Sequence, residues 1–465
     1  MDQGIIAQLD KRIDSLRGEL ASLTIRLVNI KSVQESPLPG APFGEGPKRV
    51  LDEVLQLGKN AGFSCVDYGV GVVSLALEDK EADLGIWAHG DVVPEGNGWS
   101  FDPYNAVEYQ GCVIGRGATD NKGQLAAVFL LLRLFKELNI PLKYNPALYV
   151  GSNEETGMAD LVGIPGNPHA EGFLNAAKAP RLSLVPDSGF PVGYGGKGAV
   201  TLTLKSRTPL HGCILTAGQP ADPGSILAVF DSAPGIDALP GCTVTGNQIT
   251  AWTPPRHGAH PDPAGNMITV LSDAMLTSGL AHNEDRYIWE FLHTVSSDVD
   301  GIALGIQAVS EDMKPLTVFA KQIDNDDGHP VLTLNIRYPD SITAAEIVER
   351  ATAAAKQHGF LLTCRKEGTP AYRMPADTPV VKMLCEVANG MTGKNAAPFT
   401  LSGGTYANRL PNAYVFGANG NLPPADFPKG RGGAHGIDES VSLDRLQRFM
   451  RIYARALLQL NELEW

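Results

Sequence analysis

Ala88-His89-Gly90-Asp91-Val92-Val93-Pro94 closes an apolar run, Leu84-Gly85-Ile86-Trp87-Ala88, that is long enough for one buried strand. His89 and Asp91 stand two apart at the end of that run, and residues two apart on an extended backbone point the same way. A histidine and a carboxylate on one face can serve as a metal ligand and the group that holds its imidazole. An isolated His-x-Asp is as readily a surface hydrogen bond, so the reading turns on what surrounds it.

Upstream, residues 4–32 read as one helix with Ile5, Leu9, Ile13, Leu16, Leu20 and Leu23 on a face, and residues 48–61 as a second helix. Downstream, a glycine-rich turn, Gly115-Arg116-Gly117-Ala118-Thr119-Asp120-Asn121-Lys122-Gly123, opens a strong helical pattern over residues 124–138. Asp120 at that helix start is, taken alone, equally a capping residue. A strand over residues 147–151 is followed by Asn153-Glu154-Glu155-Thr156-Gly157. Adjacent carboxylates repel unless positive charge lies near them, so this is either a solvated turn or part of a cation site. A further strand, Leu182–Val185, runs into Pro186-Asp187. His89, Glu154, Glu155 and Asp187 thus all follow the carboxyl ends of expected strands, which is where open α/β sheets bind ligands.

From about residue 195 the texture changes to alternating runs (199–204, 243–252, 332–338) interleaved with helical patterns (267–278, 282–294, 343–358). That order indicates an α+β insert with one solvated sheet face. Residues 371–379 read as a return linker, and residues 443–458 as a closing helix. The expected fold is therefore α/β: a catalytic domain with a mixed, mostly parallel sheet flanked by helices, plus an inserted α+β lid domain. The division runs 1–194, 195–374 and 375–465.

The 465 residues are 43% hydrophobic and 19% charged, a globular composition, and the net charge of −13 disfavours a nucleic-acid partner. Six scattered cysteines without a C-x-x-C pair argue against both a cysteine-rich zinc site and a disulfide framework. Residues 1–30 carry charges throughout and lack an apolar signal core, and no run approaches a membrane span, so the expected location is the cytoplasm.

Taken in order, His89-Gly90-Asp91-Val92-Val93-Pro94, Gly115-Arg116-Gly117 with Asp120-Asn121-Lys122-Gly123, Asn153-Glu154-Glu155-Thr156-Gly157, Pro186-Asp187, Asn335-Ile336-Arg337-Tyr338-Pro339 and Gly433-Ala434-His435 resemble the aminoacylase/carboxypeptidase family of co-catalytic zinc peptidases. The nearest subgroup is the bacterial PepV-type dipeptidases. The resemblance implies two divalent metal ions, with His89 and Asp187 on one, Glu155 and His435 on the other, and Asp120 bridging. It implies Glu154 as general base and Asp91 as the group orienting His89. A lid histidine, His260 with His257 close by, would stabilise the oxyanion, and Arg337 would clamp a substrate carboxylate. Gly403, Gly404 and Thr405 match the family's glycine-rich substrate loop, though an ordinary tight turn fits them as well. A ligand set of histidine and carboxylate without thiolate accepts zinc foremost, and manganese or cobalt also. Between His211 and Ser225 there is no counterpart of the asparagine that PepV-type enzymes place near the oxyanion.

The expected activity is hydrolysis of an amide bond in a small carboxylate-bearing substrate, a dipeptide first. An N-acyl amino acid deacylase with the same metals is the alternative within enzymes, and a catalytically dead two-domain binding protein the alternative outside them. The large insert fits the monomeric subgroup better than homodimers that pair through a small lid.

Overall fold

The strand Leu84–His89 is buried along its whole length and sits in the middle of the largest sheet. A computed structural model of the chain describes residues 3–164, 171–217, 225–253, 261–262, 265–281, 285–417 and 423–465. On one side Leu84–His89 pairs in parallel with Pro146–Gly151, on the other with Leu182–Val185. Ala413–Val415 continues the parallel set beyond Leu182–Val185. Val72–Ala76 and Ser64–Asp67 extend the other edge antiparallel. The sheet is thus parallel at its centre and antiparallel at its margins, and an all-buried strand such as Pro146–Gly151 needs cover on both faces.

Helices supply that cover. Gly123–Glu137 is buried nearly all round, as expected of a helix rich in leucine and alanine on every face. Leu443–Leu460 is amphipathic and buries Leu446, Phe449, Met450 and Tyr453. These elements share one hydrophobic core with the N-terminal helix, through Ile6, Leu9 and Ile13. Gln447 donates to the carbonyl of Ile13 at 2.9 Å, and Arg455 pairs with Asp10 at 2.7 Å, so the first and last helices are joined.

The chain divides into two compact units. One comprises Met1–Gly195, Arg373–Phe399 and Thr405–Trp465; the other comprises Gly196–Tyr372 and Thr400–Gly404. The second unit has its own core and two four-stranded antiparallel sheets. In one of them Gly198–Ser206 and His329–Tyr338 alternate buried and half-buried residues along their lengths, the pattern of a sheet covered on one face. The other runs in the order Cys213–Ala217, Ser225–Phe230, Gln248–Trp252, Cys242–Thr245.

Several sequence expectations are corrected. The single helix over 4–32 is two, Gln3–Ser15 and Arg17–Val28, broken at Leu16, whose N–H reaches both Arg12 and Ile13 carbonyls. The apolar period continues across the break because Leu16 itself is buried. The helix expected over 282–294 is Arg286–Ser297. The return linker contains the short strand Tyr372–Arg373, and residues 400–404 group with the second unit rather than with the C-terminal segment that surrounds them.

Candidate active site

Three parallel strands deliver their carboxyl ends to one place. His89 is the last residue of its strand and lies in register with Gly151, and the Gly90 N–H donates to the Gly151 carbonyl at 2.8 Å. The Glu154-Glu155 turn leaves from Gly151, and Asp187 follows Val185 by two residues. Asp120 comes from the tight turn Ala118–Lys122 ahead of the buried helix, where Gly117 at φ 87° makes the bend. His435 comes from the loop before Ser440–Ser442 and has a left-handed backbone, φ 61°.

His89 is fully buried and uses both ring nitrogens. Nδ1 lies 3.0 Å from the backbone carbonyl of Asp91, and Nε2 lies 3.0 Å from Asp120 Oδ1 and 4.0 Å from Asp187 Oδ2. A carbonyl can only accept, so Nδ1 carries hydrogen and Nε2 faces the carboxylates. His435 Nε2 lies 3.2 Å from Asp120 Oδ2 and 3.0 Å from Glu155 Oε2. Asp120 therefore stands between the two imidazoles. His89, Glu154 and Asp187 have ligand atoms within 4.8 Å of one another, as do His89, Asp120 and Glu155.

The electrostatics are those of a crowded anionic cluster. Burial and the charge of Asp187 push the Glu154 carboxyl well above its usual range. Burial and Asp120 do the same to Asp187, and raise Glu155. Burial works against charge on Asp120 too, but its contacts with His435 and His89 win and hold it well below the ordinary value. The His435 imidazole is pushed up to about 11 by Asp120 and Glu155. For His89, burial acts to lower the pKa, and Asp120, Asp91 and Asp187 outweigh it. Three carboxylates raised by burial and by their acidic neighbours, beside an Asp120 held low by two imidazoles, form a site that favours added positive charge. Imidazole nitrogen and carboxylate oxygen without thiolate suit divalent ions of the zinc, cobalt and manganese kind.

Asp91 does more than face His89. Its carboxylate oxygen is 3.6 Å from Nδ1, beyond hydrogen-bonding range. It accepts instead from the backbone N–H groups of Glu154, at 3.1 Å, and Glu155, at 3.0 Å. Asn121 donates to the Pro186 carbonyl at 2.9 Å and to Asp187 at 3.3 Å.

Two further acids were not singled out from the sequence. Asp160 is buried, accepts from Ser152 and Asn153 N–H groups at 2.9 and 3.1 Å, and takes the Tyr406 hydroxyl as well. Glu439 is buried beside Arg116 and Asp120. Neither has a local signature: Asp160 lies in the short helix Ala159–Val162, Glu439 follows Asp438 just ahead of Ser440–Ser442, and the partners Tyr406 and Arg116 lie far away in the chain.

The remaining expected residues sit elsewhere. Arg337 lies in His329–Tyr338 of the second unit, where its Nε donates to Asn335 at 3.2 Å. Gly403 and Gly404 also belong to that unit, and a Cβ on Gly404 would run into Thr369. Thr405 caps the turn Tyr406–Asn408, its hydroxyl accepting from the Ala407 N–H at 3.2 Å. His257 and His260 lie outside the described residues.

A mixed α/β sheet whose central strands bring His89, Glu154, Glu155 and Asp187 beside Asp120 and His435 presents the donor set of a divalent-metal centre. The chain belongs to peptidase family M20/M25/M40, whose model matches residues 85–459. It is a peptidase by that membership. A Bacillus subtilis protein named "Putative dipeptidase YtjP" is 26% identical over 472 residues, covering 94% of this chain and 96% of that protein. Among solved structures, human carnosine dipeptidase 1 has a TM-score of 0.61 at 14% identity, covering 99% of each chain. The Bacillus subtilis YXEP protein, described as a dinuclear metal binding peptidase of the M20 family, has a TM-score of 0.51 at 10% identity, covering 97% of this chain and 99% of that one. Among the described residues no helix is long and apolar enough to cross a membrane.

Proposed function

We propose that this chain is a two-metal dipeptidase. It cleaves the amide bond of a small substrate that ends in a free carboxylate. The observation that carries the reading is the convergence of His89, Asp120, Glu154, Glu155, Asp187 and His435, with Asp120 between the two imidazoles. Full-length relatives named as dipeptidases and a dinuclear structural neighbour support it.

His89 and Asp187 would hold one ion and Glu155 and His435 the other, with Asp120 available to both. Zinc fits best, and manganese or cobalt also fit the donor set. Bound there, divalent ions would supply Lewis-acid polarisation of the scissile carbonyl and a lowered pKa for water. Glu154 takes a proton from the attacking water and returns it to the leaving amine, the work of a positioned general base. Glu154 also comes within ligand reach of His89 and Asp187. The base assignment rests on Asp187 and His89 already serving that ion. Asp91 fixes the backbone from which Glu154 and Glu155 project. Arg337 supplies a planar fork for the substrate carboxylate, His260 a donor for the oxyanion, and Gly403, Gly404 and Thr405 close the substrate loop. Six free cysteines fit a reducing cytoplasm, and the large second unit a monomer.

The test is elemental analysis of protein purified without chelator, followed by assays on dipeptides and N-acyl amino acids before and after chelation and metal add-back. Two equivalents with metal-dependent dipeptide cleavage support the reading. Cleavage of N-acyl amino acids alone makes the protein a deacylase, and no bound metal with no restored activity makes it a binding protein. In the same assay Glu154→Ala should keep both metals and lose activity by about two to four orders of magnitude. Near-full activity in that variant removes Glu154 from the base role.

A further inference from the structure

Arg116 and Glu439 form an ion pair at 2.6 Å in which both side chains are almost wholly buried, 2% and 1% exposed. Burying two charges is costly, and well-packed apolar residues often serve stability as well or better, so such a pair asks for a reason beyond stability. The remaining bonds of the pair supply one. Glu439 Oε1 accepts the backbone N–H groups of Thr119 and Asp120, both at 3.0 Å. Arg116 Nη2 donates to the backbone carbonyl of His435 at 3.3 Å, and to those of Glu95 and Pro94 at 3.3 and 3.4 Å. The Gly115 N–H in turn donates to the Glu439 carbonyl at 2.8 Å, next to the pairing of Ser440–Ser442 with Cys112–Ile114. One buried pair thus grips the backbone of Asp120 on one loop and of His435 on another.

We propose that the Arg116–Glu439 pair positions the metal site: it sets the placement of Asp120 relative to His435 and so tunes the affinity of the site for its second divalent ion. Neither residue touches substrate or the reacting atoms. The inference rests on the two-metal reading above. Groups that orient metal ligands from behind typically change affinity or activity by about 10- to 100-fold when removed.

Glu439→Gln keeps the shape of the side chain and removes its charge. Arg116→Lys keeps the charge and loses the fork that reaches both Glu439 and the His435 carbonyl. Arg431→Met is the control: it breaks the neighbouring Arg431–Asp438 pair, whose carboxylate serves the Ser100 and Phe101 N–H groups and no metal-facing residue. Each protein is titrated with zinc against a chromophoric chelator, far below its melting temperature, and its thermal unfolding is recorded separately. The expected result is a weaker second equivalent by about 10-fold or more in Glu439→Gln and Arg116→Lys, a first equivalent that moves much less, and unchanged affinities in Arg431→Met. A lower melting temperature with both zinc affinities as in the parent would mean a merely structural pair, and would overturn the proposal. If the parent itself binds fewer than two equivalents, the two-metal reading falls and this inference with it. If Glu439→Gln does not fold, Arg116→Lys decides by the same criterion.

Discussion

Asp160 holds the backbone of Ser152 and Asn153, just ahead of the Glu154-Glu155 turn, and burial pushes its carboxyl from 3.8 up to about 7 despite the Tyr406 hydroxyl and the two N–H donors. The folded protein therefore keeps this proton to higher pH than the unfolded chain does. The stability linked to Asp160 is fully present below its unfolded pKa of 3.8 and is lost as pH rises toward about 7. Asp160→Asn, which cannot ionise, should flatten the fall in the urea midpoint between about pH 5 and about pH 7 relative to the parent. Parallel curves for the two proteins would return Asp160 to an ordinary pKa. At this scale the sequence is uneven to read. His89, Glu154, Glu155 and Asp187 were visible because each follows a short apolar run at a strand end. Asp160 and Tyr406 are 246 residues apart, and Arg116 and Glu439 are 323 apart. No local pattern links such pairs, so only the folded chain brings them to notice.

The elements that make the site are ends and turns rather than helix or strand interiors. Gly151, the last residue of Pro146–Gly151, illustrates the demand for close approach: a Cβ there would collide with the Tyr406 hydroxyl and the Asp160 carboxylate. Gly151→Ala should cost about 1–3 kcal/mol of stability, as overpacked cores do, and should displace the adjacent Glu154-Glu155 turn, so that activity falls along with the denaturation midpoint. A variant as stable and active as the parent would show that Tyr406 can yield without consequence. The strands Leu84–His89, Pro146–Gly151 and Leu182–Val185 were legible from their apolar runs, whereas Thr317–Asp326 and Ser225–Phe230 were not read. The break at Leu16 was not, because the buried face of Gln3–Ser15 and Arg17–Val28 continues through it and no proline marks it. The strands Cys213–Ala217 and Tyr372–Arg373 are short and lack a distinct period, and they escaped for that reason.

At the level of the whole molecule, a cluster of four carboxylates and two imidazoles would couple stability to any cation it binds. A ligand that binds only the folded state adds about 2.7 kcal/mol when its free concentration is a hundred times its Kd. Chelation should therefore lower the melting temperature by several degrees, and zinc or manganese should restore it; a melting temperature indifferent to both would mean that the cluster holds no ion in solution. The division of the chain near residue 195 was legible from the change from βα order to alternating strands. The grouping of residues 400–404 with the second unit was not, since five residues carry no texture of their own.

The joining of the first helix to the last has a consequence for how the chain is made. Ile6, Leu9 and Ile13 share a core with Leu446, Phe449 and Met450. Gln3–Ser15 leaves the ribosome ahead of the second unit and must wait for Leu443–Leu460, which emerges after it. Domains generally fold as units during synthesis, and exposed apolar surface in the interval invites aggregation. Ribosome-bound chains arrested before residue 443 should hold a protease-resistant second unit beside a protease-sensitive first one, so production of this protein would depend on chaperone supply and translation speed more than its final stability indicates.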